Sequence, residues 1–376
     1  MRAVSRALVA GAGPAGLSSA TAMSRVDIDV EVVEISPTRE VPGSELMIGG
    51  SFLRALDTLG VAERCVEVGV GLSATTLCRA DGEVFAEVAL PRVARDDLPL
   101  AAGITRNDLL AVLRDAAEAN GTRIRYGTGV QGVEDAPDGA RVTFTDGGSD
   151  TYDLVVGADG VRSAVRGSVF PGAPRPRYTG QGVWRARIPC NGDPTLRVCY
   201  GPRNKAGFIT VSEELQYLFC VVNAPHPQRL PEERFPELLR EVLADYGGVI
   251  AEARRHIRDP EQVYYSGLVT LLMPTPWHRG RVLLVGDAAH ACTPHLAYGA
   301  GIAVEDGVVL GEALSTCDDL PTALQAFMRR RYERCRMVVE NSQRLGEWEQ
   351  DADSPDTGRW SAELTERSWA ALAEPI

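Results

Sequence analysis

Lysine is nearly missing from this chain. Of 39 basic side chains in 376 residues, Lys205 is the only lysine and the other 38 are arginines. Schiff-base chemistry therefore has a single candidate amine. Histidine is scarce too: His226, His256, His278, His290 and His295 are the whole set. They are too scattered to build a cluster of imidazole ligands, and no metal site is expected. The eight cysteines (65, 78, 190, 199, 220, 292, 317 and 335) contain no C-x-x-C pair. That removes zinc-ribbon and thioredoxin-like readings and points to reduced, mostly buried thiols. No apolar run approaches the roughly 20 residues a spanning helix needs, so no membrane partner is expected. The chain enters a strand almost at once, without a signal-peptide layout, and a cytoplasmic location is expected. Positive charge is short overall, 39 basic against 51 acidic residues for a net charge of −12. This argues against nucleic acid as a partner. What remains, 44% hydrophobic and 24% charged, is ordinary for a globular enzyme, and the length suggests two domains.

The first forty residues read as β-α-β. Residues 7–10 are an apolar strand, residues 14–24 suit a helix packed on a sheet, and residues 28–34 alternate as a strand. Residues 107–120 have helical apolar spacing and stop at Gly121. Short strands follow at 123–127, 129–134 and 140–145, then a buried strand at 154–156. From about Tyr178 to Leu272 the style changes to antiparallel-looking runs (182–188, 207–211, 216–222) and a helix at 236–246. A parallel-style strand returns at 281–285. Helices are expected at 301–315 and 322–345, and the polar tail after Glu349 is expected to be loosely ordered.

Three motifs carry chemistry. Gly11-Ala-Gly13-Pro-Ala-Gly16 lies between a strand and a helix, with Glu34 closing the next strand 18 residues later. Glycines there permit a tight turn and close approach to a pyrophosphate. The helix N-terminus offers free N–H groups, and the acid can accept from a ribose hydroxyl. Gly286-Asp-Ala-Ala-His290 follows a strand. Asp287 is placed to bond a polyol, and the helix opened by Gly299-Ala-Gly301 can face an anionic group. Taken alone, this motif reads better as a simple strand-to-helix turn with an Asp cap. Gly157-Ala-Asp159-Gly-Val-Arg162-Ser163 is either a turn beside a cofactor, with Arg162 and Arg166 meeting phosphates, or a plain turn.

The ordered set of these motifs, with Thr105-Arg106-Asn-Asp-Leu109 between them and Pro294-His295 after the last, resembles the single-component FAD-dependent aromatic hydroxylases. These are the p-hydroxybenzoate and salicylate hydroxylase-like monooxygenases, and the 6-hydroxynicotinate 3-monooxygenase-like subgroup looks most similar. The likeness runs from Gly11 to Asp306. It implies an α/β fold with α+β mixing: a Rossmann-like FAD-binding domain (1–72, 100–177, 273–315), an inserted, mainly antiparallel substrate sheet (73–99, 178–272) and a C-terminal helical segment and tail (316–376). It implies FAD, with NAD(P)H as a transient co-substrate, O₂, a flavin hydroperoxide, and a small phenol-like substrate. A monomer or homodimer is expected. Gly11, Gly13, Ala15 and Gly16 would lie on the pyrophosphate and Glu34 on the ribose. Arg106 and Asp159 would contact FAD, and Asp287 the ribityl chain. Pro294, Gly299, Ala300 and Gly301 would border the isoalloxazine. Tyr298 departs from the glutamine common in the family.

Substrate chemistry asks for a group that helps remove a phenol-type proton. His295 has the right pKa range and is expected to face the cavity, though a turn-capping histidine is the alternative. Tyr217, on the strand at 216–222, offers a hydroxyl if it points inward, or else is core. Arg185 and Arg187 share a strand face, and one of them, Arg185, is a candidate for a substrate anion, with two solvated arginines as the default reading. Met47 and Tyr298 are further candidates for substrate contact, and His290 is expected to be structural. A reductase without oxygen insertion stays open. A flavin halogenase fits poorly, because that chemistry relies on an active-site lysine and a two-tryptophan signature, whereas Trp184-Arg-Ala-Arg-Ile-Pro189 has one tryptophan.

Overall fold

The computed structural model describes residues 4–39, 45–136, 138–190, 192, 194–201, 204–351 and 357–376. Among these, the strands fall into four sheets. The first is parallel, with Arg6–Ala10 at its centre between Asp29–Glu34 and Leu154–Gly157. Arg123–Tyr126 and Val282–Leu284 lie outside these, and His278–Arg279 adds an antiparallel edge. Ala7, Leu8 and Val9 are fully enclosed. Such continuous apolar runs suit strands covered on both faces. One cover is the helix Pro14–Ser24, buried from Ala15 to Met23 because the helix Gly299–Thr316 packs over it. Glycine makes that crossing close. A Cβ at Gly307 would lie 2.5 Å from the Ser18 carbonyl carbon, and one at Gly311 2.7 Å from the Ala22 Cβ.

The seven-stranded sheet runs in the order Val263–Thr270, Arg177–Pro189, Leu215–Asn223, Asn204–Thr210, Leu196–Tyr200, Ala74–Arg79, Val84–Ala89. Only the Leu196–Tyr200 and Ala74–Arg79 pair is parallel. Alternation sends Trp184, Ala186, Ile188, Phe208, Leu218 and Cys220 outward, onto the helices Phe235–Val242 and Gly248–Arg254. The inner face carries Arg185, Arg187, Ile209, Tyr217 and Phe219. It meets the small sheet Leu46–Gly49, Ala101–Ile104, Val70–Leu72, so closely that a Cβ at Gly103 would lie 2.1 Å from the Thr210 carbonyl oxygen.

The long helix Leu320–Gln350 lies on Gly299–Thr316. The tail corrects the expectation of loose order: Thr357–Ala373 is a helix. Its C-terminal carbonyls are held by arginines rather than by a glycine cap. Arg54 donates to the carbonyls of Leu372, Ala373 and Glu374, Arg334 to Ala371 and Leu372, and Arg330 to Ile376. Cations at a helix C-terminus meet the negative end of its dipole.

Candidate active site

The three glycine-bearing motifs converge at the C-terminal edge of the parallel sheet. The chain leaves Arg6–Ala10 through Gly11 at φ +107, where a Cβ would strike the Ala158 carbonyl oxygen at 2.4 Å. Gly16 fits only as glycine, with its Cβ position 1.9 Å from the Gly11 oxygen. Gly13 differs, since nothing lies within 4 Å of where its Cβ would be. The turn is therefore closed by protein at Gly11 and Gly16 and open at Gly13, the shape a pyrophosphate needs. Ala15 begins the buried face of the following helix. Glu34 is held beside the turn, accepting the Ala12 N–H at 2.9 Å and the Ser36 N–H at 2.8 Å.

Asp159 accepts the Ala164 and Val165 N–H groups on Oδ2 at 2.7 and 3.1 Å. Its Oδ1 is buried without a partner, which marks room for a donor from outside the chain. Arg106 leaves a buried Nε similarly unpaired. Arg166, read as a phosphate candidate, is corrected. It is buried and donates to the carbonyls of Ala288 and Val161, so it clips two motifs together. Arg162 is exposed. Asp287 has an exposed carboxyl, and it makes no hydrogen bond among the described residues. Protein surrounds it on its other sides, and that desolvation pushes its pKa up, with His290 and Arg106 pulling partly back.

Behind Asp287 lies a buried charge network. Asp306 accepts the Gly286 N–H (2.8 Å), His290 Nε2 (2.6 Å) and Arg331 Nε (2.8 Å). Glu305 accepts from Arg331, Arg334 and the Tyr298 hydroxyl, each at 2.8 Å. Burial opposes the charge on Asp306, yet His290 and Arg331 hold its pKa down to about 2. Burial likewise opposes charge on His290, but Cys335 and Asp306 carry its pKa well above the usual value. His290 is thus structural, as expected. His290, Asp306 and Cys335 lie close enough to hold a cation, but both Asp306 oxygens are already committed to donors. The signal for this network was present in the sequence. Glu305 and Asp306 interrupt an otherwise apolar helix, and Arg331 sits on the apolar stripe of the next one.

Four candidate positions follow on the 294–301 segment. Pro294 is exposed, Gly299 and Ala300 half-buried, and Gly301 is pressed against the Tyr298 ring. The expectation that His295 faces the cavity is corrected. Its side chain is fully enclosed, with Nδ1 2.8 Å from Thr293 Oγ1 and Nε2 3.1 Å from Glu349 Oε2. The turn Pro294–Leu296 and the left-handed Ala297 (φ 52) aim the ring at the long helix. Desolvation lowers the His295 pKa, while the Lys205 charge and the hydrogen bond from His295 hold Glu349, against burial, at about 2. A neutral ring then donates to Glu349 and accepts the Thr293 hydroxyl. The sole lysine, Lys205, is paired with the other oxygen of Glu349. Tyr298 is corrected as a substrate contact: its ring is buried edge-on to Phe52 and its hydroxyl is spent on Glu305.

The inner surface of the large sheet is tied to the Arg106 turn through Arg187 and Glu45. Tyr217 points inward and packs in the cluster of Leu72, Leu196, Ile209 and Val211, with Met47 and Phe219 against it. Arg187 is neutralised by Glu45, whose enclosed carboxylate also accepts the Arg106 N–H. Glu45 thereby ties the turn before the helix Arg106–Ala119 to the sheet, a role with no sequence signal. Arg185 has no carboxylate partner among the described residues. It donates to Ser266 Oγ at 2.7 Å and leaves Nε buried and unpaired.

The family model described as "FAD binding domain" matches residues 5–342. The chain is 30% identical to 2-heptyl-3-hydroxy-4(1H)-quinolone synthase of Pseudomonas aeruginosa, over 91% of this chain and 90% of that protein. It is 31% identical to 3-amino-4-hydroxybenzoate 2-monooxygenase of Streptomyces cremeus, over 93% and 89%. The crystal structure of Klebsiella pneumoniae HpxO complexed with FAD and uric acid superposes with a TM-score of 0.85 at 25% identity, covering 98% of this chain and 94% of that one.

Proposed function

The chain belongs to the FAD binding domain family and is a flavin-dependent monooxygenase, and on that premise we propose that it uses NAD(P)H and O₂ to hydroxylate a small phenol-like aromatic or heteroaromatic ring. We place this activity in the cytoplasm, in a monomer or homodimer. The observation that carries the reading is the tie between two surfaces. Three cofactor motifs share one sheet edge, and Glu45 joins the Arg106 turn to the sheet face that carries an inward tyrosine and an arginine without a carboxylate partner among the described residues. The names of the quinolone and aminohydroxybenzoate relatives support an aromatic ring bearing oxygen.

Bound FAD supplies the electron transfer and the activation of dioxygen. The chain's own residues orient and enclose. The open side of Gly13 and the N–H groups of Ala15 and Gly16 receive the pyrophosphate. Gly11 holds the turn, Glu34 takes the ribose hydroxyls, and Asp287 takes the ribityl hydroxyls. Asp159 Oδ1 and the Arg106 guanidinium offer the remaining polar contacts. Pro294 and the N-terminus at Gly299, Ala300 and Gly301 border the ring, where N–H groups favour negative charge. Tyr217 bonds the substrate oxygen and Arg185 stabilises its anionic form. Met47 lines the ring's apolar side. His295 works at one remove, holding Thr293 and the Pro294 turn in place.

Oxidation of NAD(P)H by the yellow holoprotein should rise several-fold with a suitable phenol and should not depend on halide. Consumption that no aromatic alters would remove the hydroxylase reading. A halide-dependent product would replace it with a halogenase.

A further inference from the structure

We propose that Trp369, on the C-terminal helix Thr357–Ala373, is a specificity-determining wall of the substrate chamber, selecting a planar ring that carries an apolar extension. The inference rests on the hydroxylase reading above. Several strands and the C-terminal helix bring carbon to one place. Leu72, Leu90, Ala101, Leu196, Ile209, Val211 and Tyr217 form a buried cluster, and Met47, Phe219 and Trp369 pack against it while remaining half-buried. With Leu100 and Leu215 they make up its half-buried rim. The polar groups of the same sheet face, Arg185 and Tyr217, sit on the same strand rows, opposite Phe219 and Arg187 respectively. A ring whose oxygen reaches that polar pair would direct a substituent along the Met47–Phe219–Trp369 rim.

The helix is built to hold its tryptophan still. Ser368 and Leu372 are buried on its inner side, and Ser368 Oγ accepts from Asn341 Nδ2 at 2.9 Å. Three arginines grip its C-terminal carbonyls, and one of them, Arg334, also carries Glu305, which holds the Tyr298 hydroxyl beside Gly299. A mainly polar 17-residue helix has little stability of its own, so these tertiary contacts fix it. They also fix the rim against the turn proposed to border the flavin. An indole offers a large rigid face at low entropic cost, which suits it to reading an apolar substituent.

The test uses holoenzyme and 4-alkylphenols of one to seven chain carbons, with binding read from the perturbation of the flavin spectrum and oxygenation followed in parallel. In the wild type, Kd should tighten about fourfold per added methylene. In Trp369→Ala that gain should fall by half or more, with flavin content and Tm retained, and Trp369→Phe should recover most of it. Equal chain-length dependence in wild type and Trp369→Ala overturns the proposal. So does a wild type whose affinity ignores chain length, or an Ala variant and a Phe variant that merely lose flavin and stability together. A wild type that hydroxylates rings without reading the chain loses only this inference. One that hydroxylates no aromatic brings down the reading beneath it.

Discussion

Arg331→Met should destabilise the protein by about 3–5 kcal/mol and strip much of its flavin. Removing one partner of a buried ion pair leaves an uncompensated charge, which costs about that much. Here the guanidinium and both carboxylates it serves are fully enclosed, at 0% side-chain exposure. Glu305 keeps Arg334, but Asp306 keeps just His290, the Gly286 N–H and a long contact from the Cys335 thiol. Loss of flavin is expected because Asp306 fixes the Gly286 N–H, one residue before Asp287. Thermal and denaturant melts, with flavin absorbance as the second reading, check both effects. The double variant Asp306→Asn, Arg331→Met should recover part of the stability, since it removes the stranded charge. A single variant that melts within a degree of wild type contradicts this view of the network.

The second large effect separates cofactor binding from folding. Gly13→Ala should leave the flavin-free protein as stable as wild type, because its methyl meets open space and its φ of −79 suits any residue. FAD affinity should fall tenfold to a hundredfold, the equivalent of about 1.5–3 kcal/mol for one charge-assisted hydrogen bond lost at the pyrophosphate. Gly16→Ala should damage both, because its methyl would stand 1.9 Å from the Gly11 oxygen. Melts of apoprotein and equilibrium FAD titration distinguish the two. Gly13→Ala protein with unchanged FAD affinity would displace the pyrophosphate from this turn.

What could be read from the sequence was whatever local pattern dictates. The parallel strands are continuous apolar runs because both their faces are covered. The Gly11, Asp159 and Asp287 turns sit where such strands end. The inward side of Tyr217 followed from alternation once the strand was placed. Side-chain direction beyond a strand was not legible. His295 lies between a cofactor motif and a helix, yet a short turn and one left-handed alanine send its ring away from the expected cavity. Tyr298 turned into the core to meet Glu305, a partner seven residues on. The C-terminal helix escaped notice because its order comes from Arg54, Arg330 and Arg334, far away in the chain, and not from its own polar sequence. Lys205 was read by its rarity alone. The structure pairs it with Glu349, the carboxylate that also meets His295.

The most direct test is turnover under ¹⁸O₂ with NAD(P)H and an oxygen-bearing aromatic that stimulates the reaction, followed by mass spectrometry of the product. One ¹⁸O atom on the ring is the predicted result. Flavin reduction with all oxygen recovered as hydrogen peroxide, and the aromatic unchanged, would contradict it.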